Sequence, residues 1–529
     1  MNIEHLSRSS FHHYNQTHLR LAEQQESLGE FIGLPFSLES MKKQIKLKQE
    51  SFSKENRQIL QTHFKNQYKD VHLSESIINN IELLGLENSF TITTGQQLTL
   101  FGGPAFFFYK IIHCISLARK LKKIHPEYNF IPVFWLASED HDKEEISETT
   151  IFNQSFRWEN NFTGSTGEFP LDNNFQNIKN SLVDFFSTNE GSEIVKHLNK
   201  FQGETLSKGF INFLTSIFHE YGLLVLDANS PILKKELSTI IKNEINEFST
   251  YKNISESDAA LKSKGIKPQA KIQEVNFFKL EKGQRLKINY SENKFFIANE
   301  EVSKDQLLLD INNKPESFSP NVFLRPLYQE IILPNLAYIG GPGELSYWLQ
   351  LKSNFDFYKT PFPLLANRLS LYVIDSSIEK KMKNFSFSVL DFINTSFDEL
   401  KKNFLSTTQD FENLNWEETD SKLYTIYLKY KEIYLGSTPE IGSFLEAEWK
   451  NIEKSVEKIK SKLQKQLATK HDLGIKQIEQ IKVKLFPNFI PQERFYHFFT
   501  FCPDGSLNLI HELIQEIDPF NTDILVIKN

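Results

Sequence analysis

The sequence predicts an α/β protein, a parallel-sheet core carrying an elongated helical arm. Two observations carry that expectation. Between residues 91 and 145 a β-prone run, a glycine-bearing loop, a helix and a second apolar strand follow within about 45 residues, the spacing of a right-handed βαβ crossover. Farther on, Leu445, Trp449, Ile452, Val456, Ile459 and Leu463 recur at steps of 4, 3, 4, 3 and 4, the seam of a coiled coil. At 529 residues the chain exceeds one ordinary core, so several structural units are expected.

In chain order, residues 1–90 read as largely helical with no strong strand. Phe90 to Thr94 is short and β-branched enough to be a buried central strand, Leu98 to Lys123 is loop and helix stopped by Pro126, and Phe130 to Ala137 is a second buried strand. Residues 151–220 are polar and Asn-rich and read as an insertion. Gly222 to Leu226 then closes on Asp227, which sets a carboxylate at a strand's carboxyl end, where open sheets bind ligands. Residues 270–300 alternate as short strands, a small β insertion, and the core resumes at Asn321. From Leu371 to Lys484 the chain is helical and charge-rich, with Ser370 to Leu405 as a candidate antiparallel partner for the seam, which packs within the chain, against a second copy, or both. After Pro487 and Pro491 an apolar, aromatic segment returns to the core or the arm's base. The expected units are therefore 1–150, 221–260 and 321–375 for the core, 151–220 and 261–320 for insertions, 376–485 for the arm and 486–529 for the closing segment.

Composition narrows function. A net charge of −7 argues against a bulk nucleic-acid binder, because neutralising many phosphates needs a basic surface. The beginning of the chain, MNIEHLSRSSFHHYN, has no apolar targeting stretch, and the apolar run Phe101 to Ala118 is interrupted by Lys110 and His113, so neither secretion nor membrane spanning is expected and the cytoplasm is. Two cysteines, Cys114 and Cys502, exclude a disulfide framework and any zinc site of three or four thiolates.

The candidate chemistry lies at strand ends. Thr94, Gly95, Gln96 and Gln97, followed by Gly102 and Gly103, let backbone N–H groups approach a ligand, with two Gln amides to bind it. The pattern fits neither GxxxxGK[ST] nor GxGxxG, which disfavours a Walker ATPase or an ordinary dehydrogenase. Ser138, Glu139, Asp140, His141 and Asp142 follow the second strand, and a His flanked by carboxylates suits proton transfer. A divalent-metal reading with His141, Asp140 and Asp142, and a plain acidic helix start, stay open. Arg325 precedes Pro326, which predicts extended backbone near the sheet and a bidentate grip on a carboxylate or phosphate. Asn335 follows in the same stretch. Gly340, Gly341, Gly343 and Glu344 repeat the strand-end glycine design, so two glycine turns are expected to face each other across one crevice. Lys262, Lys264 and Lys267 around Gly265 read as a solvated turn more readily than as an ATP loop.

The segments TGQQ…LFGGP…YK, PVFWLASEDHD and NVFLRPLYQE…LPNLAYIGGPGE, with the coiled-coil arm, resemble the bacillithiol biosynthesis cysteine-adding enzymes, a family of cysteine ligases. The resemblance runs from about residue 90 to the end of the chain and is thin across 151–320 apart from GLLVLDAN. It implies a Rossmann-type core with two connecting-peptide insertions, a homodimer joined through the coiled coil, and condensation of the cysteine carboxyl with the amine of glucosaminyl malate. Activation of that carboxyl by ATP is chemically natural, because an amide does not form from a free carboxylate and an amine. The chain nevertheless has neither His-Ile-Gly-His nor Lys-Met-Ser-Lys-Ser, the adenylation signatures of class I synthetases, and its glycine loop stands in place of the first. On this reading Gly95, Gln96, Gln97, Gly102 and Gly103 shape the binding loop, His141 with Asp140 handles the amine's proton, Arg325 pairs with a substrate carboxylate, and Gly340, Gly341, Gly343 and Glu344 form the opposite wall. The rivals are a metal-assisted hydrolase using His141, Asp140 and Asp142, and a coiled-coil scaffold on a degenerate nucleotide fold.

Overall fold

Five strands, all parallel, form the central sheet in the order Leu364–Asn367, Asn335–Gly340, Ser89–Gln96, Asn129–Leu136 and Leu224–Asp227. The computed structural model describes residues 2–187, 191–281, 283–412 and 416–528. The Ser89–Gln96 strand is central and buried along nearly its whole length, and its neighbours run in register from Ser89 opposite Asn129 to Gln96 opposite Leu136. Strands covered on both faces need continuous apolar character, which Phe90, Ile92, Ile131, Val133 and Phe134 supply. The chain order reverses between Ser89–Gln96 and Asn335–Gly340, so these two neighbours diverge into opposite halves of the sheet. That reversal is the topological switch point, where an open sheet leaves a crevice at its carboxyl edge.

The helix Phe106–Ile124 crosses between the first two core strands, and 13 of its 19 residues are buried. A second, antiparallel sheet of five strands holds Phe277–Glu281, Gln284–Ser291, Lys294–Ile297, Glu300–Val302 and Phe318–Pro320, the expected β insertion. Residues 151–220 differ from the polar insertion expected of them. Trp158, Phe169, Phe175 and Phe201 are buried in the main hydrophobic cluster, and the amphipathic helix Leu206–Phe218 packs there too. Here sparse aromatic residues amid Asn and Ser outweigh the average polarity, since each buries a large area.

Elsewhere one expectation gains a detail and another fails. Residues 1–90 do contain a strand, Asn2–Leu6, which pairs antiparallel with Ile524–Lys528, itself parallel to Leu371–Ile374. A short edge strand of mixed polarity carries no sequence signal of its own, because its partner lies at the other end of the chain. The seam helix Gly442–Lys470 pairs with Trp416–Ser437 rather than with residues 370–405. Trp449 stacks on Tyr427 with ring centroids 4.6 Å apart, and Lys460 reaches Asp420 at 2.5 Å. The 370–405 helices instead pack on Asp472–Leu485 at the arm's base through Phe392, Leu400 and Ile478. No described helix is long and apolar enough to cross a membrane.

Candidate active site at the switch point

The crevice at the switch point is a cavity of about 630 Å³. Gly95, Gln96 and Gln97 line it from one strand end, and Gly341, Gly343 and Glu344 from its neighbour, so the two glycine turns do share one crevice. Lys110 fastens them. Rising from the buried face of the crossover helix, its ammonium donates to Gly95 O at 2.9 Å and Gln96 Oε1 at 2.7 Å, and pairs with Glu344 Oε2 at 2.5 Å. Glu344 Oε2 also accepts the Gly341 N–H at 2.7 Å. Burial lowers the Lys110 pKa, and the Glu344 carboxylate pulls it back up. Gly95 itself lies so close to Trp135 that a Cβ would stand 3.1 Å from the Trp135 Cβ.

Six cationic side chains, Lys110, Lys271, Arg285, Arg325, Arg368 and Arg494, and four carboxylates, Glu139, Asp140, Glu145 and Glu344, face this space. Several neutralise one another or a buried neighbour. Arg368 forks onto Glu493 at 2.6 and 2.9 Å, and Glu139 pairs with the buried Lys234. Arg325, Lys271 and Arg494 have no carboxylate partner among the described residues, so the cavity presents a surplus of positive charge suited to an anionic ligand.

Arg325 reaches the cavity by a route other than the one expected. It lies in the helix Leu324–Ile332, not in extended backbone, and its N–H donates to Asn321 O at 2.8 Å. Pro326 falls in the first helical turn, where its missing N–H has no intrahelical partner to lose, so the usual restriction before proline gives way. The guanidinium lies 5.6 Å from the Trp135 ring and 5.5 Å from the Tyr338 ring, and Nη1 donates to Gln329 Oε1 at 3.1 Å. Its Nη2 is buried without a partner.

Asp140 faces the cavity with Oδ2 accepting from Gln97 Nε2 at 2.6 Å, and Ser138 Oγ donates to Asp227 Oδ1 at 2.6 Å. His141 stands outside the lining, half exposed at the rim. Its Nδ1 lies 3.2 Å from Arg285 Nη1. A guanidinium only donates, so in this arrangement Nδ1 is the accepting atom and faces Arg285 rather than the cavity. The same Nη1 lies 3.8 Å from Asp140 Oδ1, and no group of three or more His, Cys, Asp or Glu among the described residues is placed to hold a metal. Asp142 caps the short helix Lys143–Ile146, accepting the Glu145 N–H at 3.1 Å, and stays outside the lining. Glu145 is inside it. Partial burial, then Asp142 and Asp140, raises its carboxyl pKa.

Other expected site residues are structural. Thr94 Oγ1 ties the two central strands together by donating to Ile339 O at 2.8 Å. Asn335 begins its strand, about 16 Å by strand rise from the carboxyl end, and bonds Thr93 and Glu330 below the sheet. Gly102, at φ +81°, and Gly103, where a Cβ would overlap Thr149, shape a turn buried under residues near His497. Gly340 is buried against Leu345 and Tyr338. Cys114 donates to Ile92 O at 3.0 Å, and burial pushes its pKa up to about 12, the behaviour of an inert core thiol. Of the lysines around Gly265 none lines the cavity, although Lys271 does.

Sequence reasoning missed Lys110, Arg285, Arg368 and Arg494 as site residues. A lone lysine in the apolar helix FFFYKII was a signal, since a buried ammonium needs acceptors near it. The three arginines had none, because each arrives from a distant part of the chain.

Two family models divide the chain between them. Residues 1–369 match the N-terminal Rossmann-like domain of bacillithiol biosynthesis BshC, and residues 371–529 its C-terminal coiled-coil domain. The chain belongs to the BshC family. A Flavobacterium johnsoniae protein whose name reads "Putative cysteine ligase BshC" is 35% identical over 502 residues, 93% of each chain. Proteins of the same name from Cytophaga hutchinsonii and Bacillus cereus are 31% and 26% identical, the first over 89% of this chain and 88% of its own, the second over 88% and 89%. The boundary between the two domains falls beside Arg368, whose fork onto Glu493 joins them, and Arg494 brings the second domain into the cavity.

Proposed function

We propose that this enzyme is a ligase that condenses the carboxyl of cysteine with the amine of glucosaminyl malate, the last step of bacillithiol formation. The observation that carries the reading is the unpartnered, buried Nη2 of Arg325 in a cationic cavity at the switch point. A carboxylate-bearing substrate that pairs with this guanidinium offsets the charge surplus. The malate portion supplies two such carboxylates. Within the cavity the amine has to be neutral to attack, and Glu145, with its raised pKa, is the acceptor for its proton in place of His141. Asp140 orients Gln97, leaving Gln97 Oε1, which is buried without a partner, to accept from the incoming amine.

The activating cosubstrate on this reading is ATP, which would convert the cysteine carboxylate into an acyl donor, with Lys271 and Arg494 as the cations available for its phosphates. On this reading the reaction runs in the cytoplasm in a homodimer joined by the arm, a reading supported by the exposure of its apolar residues Ile452 and Ile459. The test is conversion of cysteine, glucosaminyl malate and ATP to bacillithiol by the purified protein, followed by mass spectrometry. Cells lacking the gene are expected to accumulate glucosaminyl malate. An unchanged thiol profile in such cells, with no conversion in vitro, would sink the reading.

A further inference from the structure

Behind Arg325 runs a chain of buried polar groups that the cavity does not touch. Gln329, one helical turn on, has no exposed surface, and its Oε1 accepts from Arg325 Nη1 at 3.1 Å. Its Nε2 donates to Glu330 Oε1 at 3.0 Å, and Glu330 Oε2 pairs with Lys48 Nζ at 2.9 Å, the two side chains being 0% and 1% exposed. Lys48 comes from the helix Leu38–Ser51, far from the cavity in sequence, and also donates to Glu330 O at 3.1 Å.

A glutamine amide has two faces of opposite polarity, and a flip exchanges them. Here the flip is barred. A carboxylate on one side admits only the NH₂ face, so the oxygen is forced toward Arg325. A buried carboxylate is sustainable only against a partner charge, and Lys48 provides it. We propose that Gln329 is the positioning residue of Arg325, and that the Lys48–Glu330 pair sets the polarity of its amide. The guanidinium is thereby held with Nη1 bonded to Gln329 while Arg325 lines the cavity. Orientation of a single fork matters because a bidentate grip tolerates little angular error. This inference rests on the substrate-carboxylate role given above to Arg325.

The test compares wild type with Gln329→Met, which keeps length and removes the acceptor. A crystal structure of the variant is expected to show the guanidinium displaced from its place between Trp135 and Tyr338. Titration calorimetry is expected to show glucosaminyl malate bound about tenfold more weakly, in line with loss of a charge-assisted hydrogen bond. In an Arg325→Met background the same substitution is expected to add nothing, the signature of action through Arg325. A guanidinium that stays in place in Gln329→Met overturns the positioning role, as does an undiminished Gln329 effect in the Arg325→Met background. A displaced guanidinium in a protein whose wild type binds no glucosaminyl malate supports the positioning role and overturns the substrate assignment instead. Should Gln329→Met not fold, the double variant Lys48→Met/Glu330→Met, which removes both buried charges together, is expected to loosen Arg325 in the same way, and an unmoved Arg325 there overturns the proposal.

Discussion

The cavity and the arm are built on opposite principles. At the switch point Lys110, Arg368 and Lys234 are buried and each holds a carboxylate, so the geometry is set before any ligand arrives. In the arm, the 29-residue helix Gly442–Lys470 has no buried residue, and its ion pairs are surface ones such as Lys431 with Glu446. Buried pairs have a steep penalty for misplacement, whereas exposed pairs contribute about 0–1 kcal/mol each. The cavity therefore has its charges locked, and the arm leaves apolar residues such as Ile452 and Ile459 exposed.

Breaking the lock is expected to have the largest effect. Lys110→Met leaves Glu344 and Gly95 O without their ammonium and should destabilise the fold by about 3 kcal/mol, read as a lowered denaturant midpoint, with bacillithiol formation falling below detection. Next comes Arg325→Lys, which keeps the charge but loses the fork. The apparent KM for glucosaminyl malate should rise about tenfold or more with the fold intact, and an unchanged KM would remove Arg325 from the site.

Glu145→Gln sharpens the assignment of the base. A carboxyl with a raised pKa is competent only when deprotonated, so wild-type activity should climb as pH rises through that raised value. In the variant this limb of the profile should vanish and kcat drop roughly 100-fold or more, whereas His141→Ala should retain the limb. A pH profile unaltered by Glu145→Gln would return the role to another group. The smallest effect on chemistry is expected from the arm. Ile452→Lys with Ile459→Lys places two charges on its exposed stripe and should convert a dimer to a monomer in sedimentation equilibrium, with turnover within about twofold of wild type. A dimer that survives both charges would put the interface elsewhere.

Particular residues show how much was legible beforehand. The two central strands and the turns at Gly95 and Gly341 were readable because buried parallel strands leave short, uninterrupted apolar runs ended by glycine. Lys110 was visible only as an interruption in an apolar helix. Asn335, a candidate site residue, starts its strand away from the crevice, since a motif read as a block does not say which end meets the crevice. The partner of the seam was misassigned because periodicity marks an apolar face without naming what covers it.

By itself the sequence determined the α/β core, the two glycine turns, the arm and the family, because each is written in local pattern or in long, rare motifs. Tertiary structure alone decided which charges are paired and which are left to a ligand. Arg325 has no carboxylate partner among the described residues, Arg368 is neutralised by Glu493 and His141 is turned to Arg285. These outcomes depend on distances between residues more than a hundred positions apart, and the strength of a charge in a protein is set by its nearest neighbours and their burial rather than by its place in the chain.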